Sequence, residues 1–161
     1  MMTLNQFIRH VETVRQGVRP VRRYRGYPNN TYGTTVPGDV PIDVHPPTGW
    51  WWNLLGVAWE LAYTGGGGGG IPTVQLYNNS GELLMPIPLG ALAAGDTAFV
   101  YGVQGAGGPT PYNVDTYYGY ILPLPMGGEL HDETIRFDAN TGAANSHRLM
   151  IYYEEYPELI A

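Results

Sequence analysis

The chain of 161 residues contains no cysteine and no lysine, and only 14% of its residues are charged. Without cysteine it cannot form a disulfide, use a thiol nucleophile or hold a metal through thiolates. Without lysine it cannot carry out Schiff-base chemistry or use a phosphate-loop lysine. No apolar run approaches the ~18 residues of a membrane span, and no signal-peptide pattern opens the chain. We therefore expect no membrane contact and no secretion signal.

The charge that is present is unevenly distributed. All eight basic residues are arginine, and six of them lie in residues 1–25 with Glu12 as the single acid. Residues 26–161 hold two arginines and thirteen acids. A basic N-terminal segment thus precedes an acidic body. Such a segment can bind nucleic acid or an acidic protein surface, including another copy, and we favour protein because the body would repel a polyanion.

Apolar residues at helical spacing predict a short amphipathic helix over residues 3–16. Thr3 and Gln6 fit a capping box, and Gly17 fits the stop. The stripe consists of Leu4, Phe7, Ile8, Val11 and Val14. A helix of about 14 residues is marginal alone, so its own domain or another subunit must cover this stripe.

A change of pattern at Trp50 divides the chain into two predicted parts. Residues 17–49 contain six prolines and no sustained period, which predicts an extended arm, so residues 1–49 form a helix-and-arm unit. Residues 50–161 alternate as in short strands, with a hairpin turn at 78–81. The strand candidates are 50–63, 72–77, 82–87, 97–103, 117–124, 133–138 and 147–155. We predict an all-β antiparallel sandwich or jelly roll, with an incomplete barrel as the alternative.

Candidate catalytic motifs are weak, and we predict that the protein is not an enzyme and binds no cofactor or metal. The glycine run at 65–70 lacks the rest of a phosphate loop. The cluster of His131, Asp132 and Glu133 reads as a surface turn, because consecutive strand residues point to opposite faces. Glu154 and Glu155 are adjacent and cannot both face one cleft.

Aromatic residues open and close the predicted body. Trp50, Trp51 and Trp52 fit a sugar-stacking platform of a carbohydrate-binding, host-recognition module. They also fit aromatic anchors in a core or interface, which we favour. Tyr152 and Tyr153 on the last strand are further interface candidates. We predict that the helix stripe, together with Arg19, Arg22, Arg23 and Arg25, docks on a partner.

Four segments resemble small jelly-roll virion proteins of tailed bacteriophages. They are the opening strand WWWNLLGVAWELAYT, the hairpin IPTVQLYNNSGELL, the turn ILPLPMGGEL and the closing IYYEEYPE. The resemblance covers about residues 50–157 and implies a virion location and a decoration or cement role on the head. A head-fibre, vertex or head–tail component is the alternative. The expected partners are the major capsid protein or other virion proteins and further copies, with a homotrimer favoured.

Overall fold

A computed structural model describes residues 21–27, 35–63, 70–103, 110–114, 117–123, 129–140, 142 and 145–158. Every regular element in these residues is a β-strand, and none is a helix that could cross a membrane. The strands are β1 (Val21–Tyr27), β2 (Val36–Pro37), β3 (Ile42–Val44), β4 (Trp50–Ala62), β5 (Thr73–Tyr77), β6 (Leu83–Pro88), β7 (Thr97–Val103), β8 (Thr110–Val114), β9 (Tyr117–Pro123), β10 (Glu129–Leu130), β11 (Thr134–Asp138) and β12 (Ser146–Pro157).

These strands form two sheets. The larger sheet has the order β1-β12-β4-β7-β9-β8, and within it β10 pairs with β4 and β2 with β12. The smaller sheet has the order β3-β11-β5-β6. All described strand pairs are antiparallel except β7 and β9, which run parallel. For the described residues the prediction of an all-β fold from antiparallel sheets is confirmed, and each of the seven predicted strands is present.

The core lies between the two sheets. Alternate residues of β5, β11 and β12 are buried, as expected for strands with one face covered. Trp59 of the larger sheet meets Phe137 of the smaller one edge to face, with ring centroids 5.3 Å apart. Burial of apolar surface, worth about 25 cal/mol per Å², stabilises this cysteine-free chain.

A β-bulge changes the inward-facing set of β4. Simple alternation places Leu55 on the inner face, but the pairing with β12 shifts between Tyr152 and Tyr153. Leu54 is therefore buried and Leu55 only half-buried, and alternation resumes from Val57. One extra residue on one strand reverses the facing of every residue before it.

The structure differs from the predicted arm over residues 21–27 and 35–49. β1 pairs with β12 along all seven of its residues, and β3 pairs with β11. Ile42 and Val44 of β3 are buried in the core. The described prolines of this stretch are tolerated because Pro37 lies in β2 and Pro41, Pro46 and Pro47 lie in connections rather than inside a central strand. The predicted helix over residues 3–16 lies outside the described residues.

A buried histidine, His147, has a hydrogen-bond partner at each of its two ring nitrogens. The indole N–H of Trp59 donates to Nδ1 of His147 over 3.1 Å, and Nε2 of His147 lies 2.7 Å from the carbonyl oxygen of Val40. The pair of contacts requires the neutral tautomer with its proton on Nε2. Burial lowers the pKa of His147, although the nearby carbonyls and Asp138 oppose that shift.

Acid is expected to destabilise the protein through His147. Its folded pKa lies below the unfolded value of about 6.5, so the unfolded chain takes up this proton first as pH falls. The contribution of neutral His147 to the free energy of unfolding is therefore complete above about pH 6.5. It decreases as the pH falls from there towards the folded pKa. Urea unfolding between pH 7.5 and 5 measures the effect, with His147→Gln as the non-titrating control. Equal pH dependence in both proteins would contradict this role.

Candidate interaction surface

The outer face of the larger sheet carries a depression of about 270 Å³, which we call the aromatic groove. Its floor is the pair of small residues Gly56 and Ala58 on β4. Strand register places Tyr152 beside Gly56, and Met150 and Tyr101 on either side of Ala58. Because neighbouring strands lie 4.7–4.9 Å apart, the side chains of β12 and β7 form walls about 10 Å apart.

The walls of the aromatic groove expose aromatic surface to solvent. Tyr24 on β1 is 71% exposed and Tyr101 is 44% exposed. The ring of Tyr24 stacks on that of Tyr152, with centroids 4.4 Å apart and an interplanar angle of 14°. A contiguous apolar depression with large exposed aromatics on its rim is typical of a contact surface.

An ion pair bounds the aromatic groove at each end. At one end Arg22 donates to Glu154 over 3.0 Å, and at the other Arg148 donates to Glu60 over 2.7 Å. Glu154 and Arg148 are six residues apart on β12, a distance of about 20 Å along a strand. The groove is therefore an apolar strip between two guanidinium–carboxylate pairs.

Glu154 is the centre of a small polar network. Besides Arg22, the side-chain amide of Asn53 and the hydroxyl of Tyr156 donate to it, over 3.3 and 3.1 Å. Burial raises the pKa of Glu154, but the three hydrogen bonds outweigh burial and leave that pKa below its ordinary value. The carboxylate therefore stays charged and fixes β1, β4 and β12 to one another.

The predicted docking arginines that the structure describes contact their own chain. Arg22 pairs with Glu154, and Arg23 donates to Glu155 over 2.7 Å. The guanidinium of Arg25 lies 5.0 Å from the ring centroid of Tyr27. The acidic surface that Arg22 and Arg23 meet is thus the last strand of the same body. The remaining predicted docking residues, Leu4, Phe7, Ile8, Val11, Val14 and Arg19, lie outside the described part of the chain.

Most of the predicted aromatic anchors belong to the core. Trp50 is 39% exposed, but Trp51 and Trp52 are 2% and 0% exposed, so the three tryptophans do not form a sugar-stacking platform. Tyr153 is buried and packs on Trp52 with ring centroids 4.3 Å apart. Tyr152 alone of the two tyrosines lines the aromatic groove.

A second, polar groove of about 520 Å³ lies at one end of the sandwich. Arg136 forms two hydrogen bonds of 2.8 Å to Asp43 there and lies 5.1 Å from the ring centroid of Tyr77. The buried His131 lies 3.9 Å from a carboxylate oxygen of Glu158. No group of three potential ligands that could hold a metal ion occurs among the described residues. Within this groove, Arg136 and Asp43 therefore bind each other.

Comparison with known proteins adds no assignment to these surfaces. No family model, curated protein or solved structure matches this chain. The surfaces must therefore be interpreted from their own chemistry. Sequence reasoning missed Tyr24, Tyr101, Gly56, Ala58 and Met150, because only the strand register brings them together. One sequence signal could have indicated this surface: the small residues Gly56 and Ala58 lie at alternate positions of a strand that is otherwise rich in large residues.

Proposed function

We propose that the chain is a structural protein of a tailed-bacteriophage virion, a decoration or cement protein that binds the capsid. The resemblance of residues 50–157 to small virion proteins supports this role. We also propose that the sandwich has jelly-roll connectivity and that residues 3–16 form an amphipathic helix. The alternative proposal is a head-fibre, vertex or head–tail component. The same sequence features support it, and it would differ from a decoration protein in the number of copies per particle.

One observation carries the proposal most directly. β1 is paired with β12 along its whole length and is further held by the Arg22 and Arg23 ion pairs. Residues 1–20 thus directly precede a strand that is paired and salt-bridged at the edge of the larger sheet. An apolar stripe and additional arginines on such a segment can bind a capsid subunit while the body covers the shell. Several copies bound to a repetitive shell, or a trimer at a local three-fold axis, gain avidity.

Removal of residues 1–20 is expected to reduce attachment to purified capsids by at least about tenfold. The deletion removes five apolar side chains of the stripe, and a loss of about 1.4 kcal/mol already weakens binding tenfold. Co-sedimentation with capsids at a series of protein concentrations measures the affinity. Leu84→Ser is the control, because Leu84 is an exposed apolar residue of the smaller sheet.

Undiminished occupancy by the shortened protein would rule out attachment through residues 1–20. The copy number in purified particles separates the two virion positions. A number that scales with the capsid subunits indicates decoration, whereas a number fixed by a single vertex or tail indicates a component of that structure.

A further inference from the structure

We propose that, in the free protein, the apolar stripe of residues 3–16 binds in the aromatic groove of its own chain. The groove is an apolar surface without a described cover, and the stripe is an apolar surface that needs one. Burying the two against each other removes both apolar surfaces from water, which is favourable. This contact does not depend on the proposed virion role, although its consequence for attachment does.

The position of Val21 brings the stripe within reach of the groove. Val21 begins β1 and pairs with Glu155, next to the Arg22–Glu154 ion pair that bounds the groove. The row of Tyr24 and Tyr152 lies three residues further along, about 10 Å away. Residues 17–20 span about 14 Å when extended, so they can return the stripe to this row.

The lengths of the two surfaces also match. The stripe runs from Leu4 to Val14, which is about 15 Å along a helix. The outer face of β12 that contains the groove runs for about 20 Å between the flanking ion-pair residues Glu154 and Arg148. The small floor residue Ala58 lies near its middle and leaves room for a side chain of the stripe.

Charge and tethering favour the stripe of the same chain. Residues 1–20 hold Arg9, Arg15 and Arg19 against Glu12, and the body that they would approach is strongly acidic. A short linker gives a tethered segment an effective concentration in the millimolar range. The stripe of a second copy has no such advantage in dilute solution.

The proposed contact has a direct consequence for attachment, which rests on the proposed function. A stripe bound in the groove is unavailable to a capsid, so docking must first release it. The free protein would thereby keep both apolar surfaces covered until a capsid competes for the stripe.

A disulfide trap tests the contact in the full chain, which has no native cysteine to interfere. Ile8→Cys combined with Ala58→Cys is expected to form an intrachain disulfide under mild oxidation, at a rate independent of protein concentration. Two controls replace one partner each: Arg9→Cys with Ala58→Cys, and Ile8→Cys with Leu84→Cys. We expect the first pair to form its disulfide at least about tenfold faster than either control.

Two results would overturn the proposal. Formation of the disulfide no faster than in the controls would show that the stripe does not lie in the groove. Disulfide-linked dimers that increase with concentration would show that a second copy supplies it. Should a cysteine variant fail to fold, trypsin gives a second readout: Phe7→Ser must accelerate cleavage after Arg9 and Arg15 by about tenfold, and an unchanged rate refutes the contact.

Capsid binding by the oxidised protein separates this proposal from the virion role. Lost attachment that returns on reduction supports both. A trapped protein that attaches normally supports the contact and contradicts docking through the stripe. Absence of the trap, together with loss of attachment on deletion of residues 1–20, contradicts the contact and leaves the virion role standing.

Discussion

Deletion of residues 1–49 is expected to leave a chain that does not fold stably, whereas deletion of residues 1–20 retains every described strand. The longer deletion removes β1, β2 and β3 and exposes the edges of β12 and β11. It also removes the buried Ile42 and Val44, each worth about 1.5–3 kcal/mol of burial. Together with newly exposed partner residues, this loss is comparable to a domain's total stability of about 5–15 kcal/mol.

Urea unfolding of the two shortened proteins, followed by circular dichroism, measures this difference. The deletion of residues 1–20 serves as the matched control, because it shares the missing N terminus and keeps β1. A cooperative transition at the same urea midpoint in both proteins would contradict the structural role of β1 to β3. It would instead restore the predicted domain boundary at residue 50.

Trp59→Ala is expected to destabilise the protein by about 3–5 kcal/mol, the usual cost of removing a buried tryptophan. Trp59 is 1% exposed, packs against Phe137 of the opposite sheet and donates its indole N–H to His147. The substitution therefore opens a cavity between the sheets and leaves a buried imidazole nitrogen without its donor. Chemical denaturation at pH 7.5 gives the change in free energy of unfolding.

Two variants separate the contributions within this prediction. Trp59→Phe keeps an aromatic ring and removes the donor, so it should cost about 1–3 kcal/mol. Trp50→Ala removes the same side chain from a position that is partly exposed, and we expect a much smaller loss there. Equal losses at residues 50 and 59 would contradict the placement of Trp59 in the centre of the core.

The deletion and Trp59 predictions bear on function because they distinguish the folded body, which begins at Val21, from residues 1–20, which precede it in the chain. Because β1 to β3 pair with strands of the body, the proposed attachment falls to residues 1–20 and to exposed surfaces such as the aromatic groove. Arg22 and Arg23 then stabilise the edge of the sheet, and their exposed ion pairs contribute modestly. Experiments that test the proposed capsid binding should therefore alter residues before Val21 rather than these two arginines.

Strands with one buried face were the part of the fold that could best be predicted from the sequence. Alternation predicted β5, β11 and β12, whose observed burial alternates in the same way. The turn at residues 78–81 followed from its asparagines, serine and glycine, and Gly81 does adopt a positive φ of 79°. Both features are local, because side-chain direction and turn geometry depend on neighbouring residues.

The edge strands and the β-bulge could not be predicted from local sequence patterns. β3 has three residues, too few for a period, and it is held by pairing with β11 about ninety residues away in sequence. Leu54 and Leu55 are chemically equivalent, and only the shift opposite Tyr152 and Tyr153 decides which one is buried.

Three properties can be read from the amino-acid sequence alone: the absence of thiol and lysine chemistry, the asymmetric charge and the strand-like alternation within residues 50–161. A missing residue type directly excludes the reactions that need it. A half-buried strand shows an alternation of apolar and polar residues in its own sequence. The three-dimensional fold was needed to establish that Trp51 and Trp52 are core, that Arg22 and Arg23 meet Glu154 and Glu155, and that the aromatic groove exists. Those features depend on the register between distant strands, and no local pattern encodes which residue of one strand will lie beside which residue of another.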